Sequence, residues 1–232
     1  MTVRPMPVWL LPFCLLPLLM AGCNSESNAQ SSFARQAMAV REGRSEQIVV
    51  DDEVVTDEQM ALLKGLSELH VLHVTQSTIT DEGMAHVADL NKLEDVRLFG
   101  AAVGDAGVAA LAGKDQLTFV NLPDARFSDE GLKTLAALPS LTLLRFGSPN
   151  VTDEGMATIA QMDQLKSLHL IDVPITDEGL MHLHEMDQLE SFYLDGGNVT
   201  DDGLSALVTA QPNLHFHYGQ EHIGGGSHEH PE

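Results

Sequence analysis

Seven aspartates, Asp57, Asp81, Asp105, Asp129, Asp153, Asp177 and Asp201, follow one another at intervals of 24 residues without a slip. A strict period of this length restricts the chain to a stacked array. One such unit is too small to bury an apolar face alone, so neighbours must supply the core. The columns around the aspartates keep the same phase. Two residues before them stand Val55, Ile79, Val103, Phe127, Val151, Ile175 and Val199. Two residues after them stands glycine from Gly83 to Gly203, with Gln59 as the exception in the first unit.

Apolar residues at the third and sixth places after each Asp, such as Met84 and Val87 or Leu132 and Leu135, have helical spacing. The Thr/Ser-Asp-Glu run before them reads as a helix start. A hydroxyl or carboxylate there caps free N–H groups, and acids suit the positive end of the helix dipole. Thr80 and Asp81 both fit the N-cap of their unit. The predicted helix has two to three turns. The second half of the unit changes period. Leu93, Val96 and Leu98, or Leu165, Leu168 and Leu170, end in the alternation of a strand. Each unit therefore reads as strand, turn, short helix and return.

Leu165-Lys166-Ser167-Leu168-His169-Leu170, joined to Ile175-Thr176-Asp177-Glu178-Gly179-Leu180, resembles the leucine-rich repeat family. The resemblance covers about residues 54 to 219. Its helix-bearing units look most like the cysteine-containing and ribonuclease-inhibitor-like types, although the units are shorter and the subclass cysteines are absent. It implies an α/β fold: a right-handed leucine-rich repeat solenoid, with a parallel sheet on the concave face and short helices on the convex face.

The repeat domain is expected at 47–219, as seven 24-residue repeats with an N-terminal capping strand carrying Ile48 and Val50. In the last unit one extra residue near Gln211-Pro212 precedes an alternation of Leu214, Phe216 and Tyr218, read as the closing strand. Residues 220–232 read as a disordered His-rich tail. Residues 23–46 read as a flexible tether, whose only helical hint is Phe33, Ala37, Met38 and Val40. Residues 1–22 have the layout of an export signal: Arg4, then a short apolar run from Val8 to Met20. The run is too short to span a bilayer. Met20-Ala21-Gly22-Cys23 resembles the lipobox of bacterial lipoproteins, which implies that Cys23 becomes a lipidated N-terminus. Asn24 after the cysteine favours the outer membrane by the sorting rule of that family.

With 34 acidic and 12 basic residues the formal charge is −22. Such a surface repels nucleic acid, and the expected attachment to a membrane is through the lipid alone. Many of the acids sit in the helix starts, so the charge is largely architectural. The Asp column lacks the close multi-ligand spacing of calcium repeats. Cys14 and Cys23 leave no thiolate metal cage in the repeats. No nucleophile–base constellation is present, and no enzyme activity, cofactor or metal site is expected. His215, His217, His222, His228 and His230 nevertheless gather near the C-terminus.

If the residues at +15 and +17 after each Asp point inward, those at +14, +16 and +18 point to the concave surface. The partner-binding residues expected there are His73, Arg97, Phe99, Phe119, Asn121, Arg145, His169 and Tyr193. Allowing for the extra residue, Phe216 and Tyr218 join them. Aromatics and Arg are enriched in binding hot spots. The function read from these features is a lipid-anchored cell-envelope protein that binds a protein or peptide partner on its concave face. The alternative is a structural or metal-handling envelope lipoprotein that uses its His-rich C-terminal tail.

Overall fold

The computed structural model describes residues 31–219 and 221–222. Nine strands form one sheet in sequence order. They are β1 (Gln47–Val50), β2 (Val71–Val74), β3 (Asp95–Leu98), β4 (Phe119–Leu122), β5 (Leu143–Phe146), β6 (Ser167–Ile171), β7 (Ser191–Asp195), β8 (His215–Tyr218) and β9 (Glu221–His222). The first eight run parallel, and β9 returns antiparallel to β8. Each step of the register is 24 residues, as in Leu144, Leu168 and Phe192 side by side. Among the described residues the α-helices are α1 (Ser32–Arg41), α2 (Asp57–Met60), α3 (Asp81–Met84), α4 (Asp105–Ala109), α5 (Asp129–Ala136), α6 (Asp153–Ile159), α7 (Asp177–Met181) and α8 (Asp201–Ala210), with short 3-10 helices at Ala61–Leu63 and Ala85–Val87 continuing α2 and α3. Of the seven repeat helices, only α5, α6 and α8 approach the two to three turns expected. The others are a single turn, because a 24-residue unit leaves little chain for the return.

Strand alternation sends Leu72, Val96, Val120, Leu144, Leu168 and Phe192 into one continuous core, where each is fully buried. The helix residues at the third and sixth places after each Asp meet them from the convex side. Aromatic pairs bridge adjacent units, Phe127 with Phe146 at 5.1 Å and Phe192 with Phe216 at 5.2 Å between ring centroids. Lys114 takes a place held by Leu90, Leu138 and Met162 in other units. Its buried ammonium donates to the carbonyl oxygens of Ala88 and Leu90 at 2.9 and 3.2 Å, and burial pushes its pKa down.

The structure separates the roles of Thr and Asp. Thr80, Thr152 and Thr176 are the N-caps, each accepting from the N–H two residues on. The Asp that follows reaches forward into the next unit. Asp153 accepts from the Thr176 amide at 2.8 Å and from its hydroxyl at 2.6 Å. Asp57, Asp129 and Asp177 hold Thr80, Thr152 and Thr200 in the same way. Asp105 holds Ser128, and Asp81 meets the amide of Gly104. The Thr200 hydroxyl and amide hold the Asp177 carboxyl below the usual carboxylate range. Capping is therefore only half of the explanation for this column: the aspartates fasten each unit to the next.

The glycine column follows from the same carboxylates. A Cβ on Gly83 would overlap Oδ1 of Asp57, and one on Gly203 would overlap Asp177. The first unit follows no such Asp, so Gln59 fits there and accepts from the Thr56 amide at 3.0 Å. Gly83→Ala is expected to cost about 1–3 kcal/mol by overpacking. In an Asp57→Ala background the same change should be neutral or stabilising by up to about 1 kcal/mol, since Ala is the better helix former. A denaturant double-mutant cycle checks this; additive effects would clear the carboxylate of blame.

Two expectations about the ends need correction. Residues 32–46 are not a tether. Ser31 accepts from the Ala34 amide and starts α1, which buries Phe33, Ala34, Ala37 and Val40 against the first unit. Gln36 then pairs with the outer edge of β1: its Oε1 accepts from the Val49 amide at 2.8 Å and its Nε2 donates to the Val49 carbonyl at 2.6 Å. A side-chain amide thus closes an edge that would otherwise be open to other strands. At the other end, Glu221–His222 pair with β8 as β9, so the segment read as tail begins with a strand. The export signal, Cys23 and residues 23–30 of the expected tether, with 220 and 223–232 of the tail, lie outside the described residues.

Candidate functional site

The outward residues of the strands form three rows across the concave face. The central row runs His73, Arg97, Asn121, Arg145, His169, Tyr193, His217, each in register with the next. With strands about 4.8 Å apart, these seven positions extend over about 29 Å. The row is bonded almost end to end. His73 Nε2 lies 3.0 Å from Asp95 Oδ1. Arg97 makes a two-pronged pair with Asp95, at 2.9 and 2.7 Å, and lies 4.0 Å over the Phe119 ring. That arrangement combines a bidentate ion pair with a cation–π contact.

Arg145 is held differently. It donates to Asn121 Oδ1 and to His169 Nδ1, both at 3.1 Å. Among the described residues no carboxylate forms an ion pair with it. His169 Nε2 in turn meets Asp195 Oδ2 at 2.8 Å. Because Nδ1 accepts from Arg145, the hydrogen-bond network places the His169 proton on Nε2, aimed at Asp195. The chain therefore positions a guanidinium on neutral acceptors, in a protein whose formal charge is −22.

A cleft of about 600 Å³ opens beside this guanidinium, at the loops that leave the strands. Phe99, Pro123 and Ile171 supply apolar walls, and Arg126, Arg145 and Asp172 supply charge. Asp172 has φ 50°, a left-handed conformation that Asp tolerates better than most residues.

Seven of the eight sequence-predicted residues, His73, Arg97, Phe99, Phe119, Arg145, His169 and Tyr193, lie partly exposed on this face. Asn121 shares the row but is only 5% exposed, so it positions Arg145 and does not meet solvent. Phe216 and Tyr218 are corrections. Phe216 pairs in register with Phe192 and is buried, and Tyr218 packs against the core. The extra residue is absorbed before β8, so Phe216 keeps its 15-residue distance from Asp201. The alternation of Leu214, Phe216 and Tyr218 carried that phase, and it puts His215 and His217 outward instead. The Tyr193 ring stacks on His217 at 4.6 Å and 4°, and lies 5.4 Å from His169. Arg126 and Asp172 were not singled out in the sequence because they sit on loops with no repeating partner column.

Comparison with known protein families and with characterised sequences gives no match. Solved structures do match. Internalin C2 of Listeria monocytogenes str. 4b F2365 aligns with 78% of this chain and 91% of its own, at 19% identity and a TM-score of 0.60. An internalin (inlF) of the same strain aligns with 80% of this chain and 50% of its own, at 20% identity and a TM-score of 0.62. At these identities the likeness is one of fold. The chain is a leucine-rich repeat solenoid of the architecture seen in those internalins.

Proposed function

We propose that this is an exported, lipid-anchored cell-envelope protein that binds a protein or peptide partner on its concave face, without enzyme activity of its own. The observation that carries the reading is the central row of cations and rings. Arg97 on Phe119 and Arg145 beside the Phe99 cleft are held in place before any partner arrives. Pre-positioned Arg and aromatic side chains lose little freedom on binding, which is what hot-spot residues require. Arg145, cradled by neutral groups, suits a partner carboxylate, with an apolar side chain filling the neighbouring cleft.

The test uses the immobilised chain and envelope extract. Arg97→Ala, Phe119→Ala, Arg145→Ala and Tyr193→Ala should each weaken capture of the partner about tenfold or more. Their melting temperatures should stay close to wild type, since exposed ion pairs contribute about 0–1 kcal/mol. Lys133→Ala, on the exposed side of α5, should change neither. Equal capture by all four concave variants would rule this face out.

Anchoring rests on the lipobox-like residues before Cys23. Among the described residues no helix is long and apolar enough to cross a membrane. Mass spectrometry of the mature protein should find an acylated Cys23 at its N-terminus. An unmodified cysteine, or cleavage elsewhere, overturns the anchor; the outer membrane, favoured by Asn24, is then tested by fractionation.

A further inference from the structure

We propose that the C-terminal end of the concave sheet holds a transition-metal site, built on His215 and His217 and suited to Cu²⁺ ahead of Zn²⁺. The two residues are separated by one position on β8, so strand alternation puts both on the concave face. Their Nε2 atoms lie 2.7 Å apart. Two imidazole nitrogens bound to one ion at about 2.0–2.1 Å stand about 2.8–3.0 Å apart at a right angle, and about 3.3 Å apart at the tetrahedral angle. The observed separation is thus within a few tenths of an ångström of a right-angle bite, the preference of tetragonal Cu²⁺. A small side-chain rotation opens it to the tetrahedral value for Zn²⁺.

The rings are also held ready. Tyr193 stacks face to face on His217 at 4.6 Å and meets His215 near its edge at 6.2 Å. The two imidazoles stand at 69° to each other. Ligand rings fixed by their surroundings need little reorganisation when an ion binds. The other imidazoles of the central row, His73 and His169, each face a carboxylate, Asp95 and Asp195 respectively. Only at β8 do two imidazoles of this face turn to each other within hydrogen-bonding distance, among the described residues.

Among the described residues no group of three or more candidate ligands gathers, so the site named is the pair of imidazoles. The register of β9 sets position 222 directly across from His217, and the residue there is also a histidine. The formal charge of −22 raises the local concentration of cations around any such site. Imidazole donors select copper and zinc over calcium and magnesium, which prefer oxygen.

The experiment titrates the full chain, its cysteines blocked by alkylation, with CuCl₂ and with ZnCl₂, and follows binding by calorimetry. Cu²⁺ binding should also broaden the Tyr193 ring resonances, which report on the sheet and not on the end of the chain. In His215→Ala/His217→Ala one site should disappear or weaken at least 30-fold, and the Tyr193 broadening should go with it. His228→Ala/His230→Ala should keep that site within about threefold. Circular dichroism in EDTA checks that both variants are folded. Absence of binding by the wild type overturns the proposal. So does a site that survives in His215→Ala/His217→Ala, or one lost only in His228→Ala/His230→Ala.

Discussion

Leu168→Ala is expected to lower the unfolding free energy by about 2–5 kcal/mol. Leu168 is fully buried in a middle strand, in register with Leu144 on one side and Phe192 on the other. The strands that flank it are fixed at one spacing by their hydrogen-bond ladders, so the cavity left by the lost methyl groups cannot collapse. In an array each unit is stabilised chiefly by its neighbours, and the damage reaches both of them. A denaturant titration measures it. A loss under about 1 kcal/mol would mean that the side chain does not line the core.

Gly147→Ala should be comparably harmful for the opposite reason. A Cβ there would overlap the carbonyl oxygen of Pro123 and come within 2.9 Å of that of Ile171. Both obstacles are backbone, one from each adjoining unit, so neither can swing aside as a side chain would. The expected cost is at or above the upper end of overpacking, about 3 kcal/mol. In a domain of this size that is a fall of about 6–12 °C in melting temperature. The same row position holds Thr75, Phe99 and Ile171 in other units, so the intolerance is local to this one. An unchanged melting temperature would show that the two neighbouring strands can part without loss.

How far these features could be read in advance depends on whether they lie within one unit. The inward strand residues and the helix faces repeat in phase, so periodicity alone identified them. The reach of Asp153 to Thr176 spans two units, and a local pattern shows only a helix start. The burial of Asn121 likewise depends on the packing of its strand among its neighbours. Helix α1 was obscured because its four buried residues lie among polar ones and belong to no repeat. The outward phase of His215 and His217 was legible in the alternation of Leu214, Phe216 and Tyr218, but an allowance for the extra residue displaced it. The cleft beside Arg145 is made by loops that differ from unit to unit, and periodic reasoning does not reach them.

The forward grip of each aspartate on the following cap has a consequence for how such a molecule changes over generations. The grip, the glycine that admits it and the core columns all recur at one interval. Gain or loss of a whole 24-residue copy therefore restores every such contact at the new junction. The two end devices, Gln36 on β1 and β9 on β8, take no part in that junction. Copy number can drift while both ends remain sealed. Each copy lengthens or shortens the present span of about 34 Å across the eight parallel strands by about 4.8 Å. The solenoid is in this sense a ruler whose length selection can adjust in fixed increments.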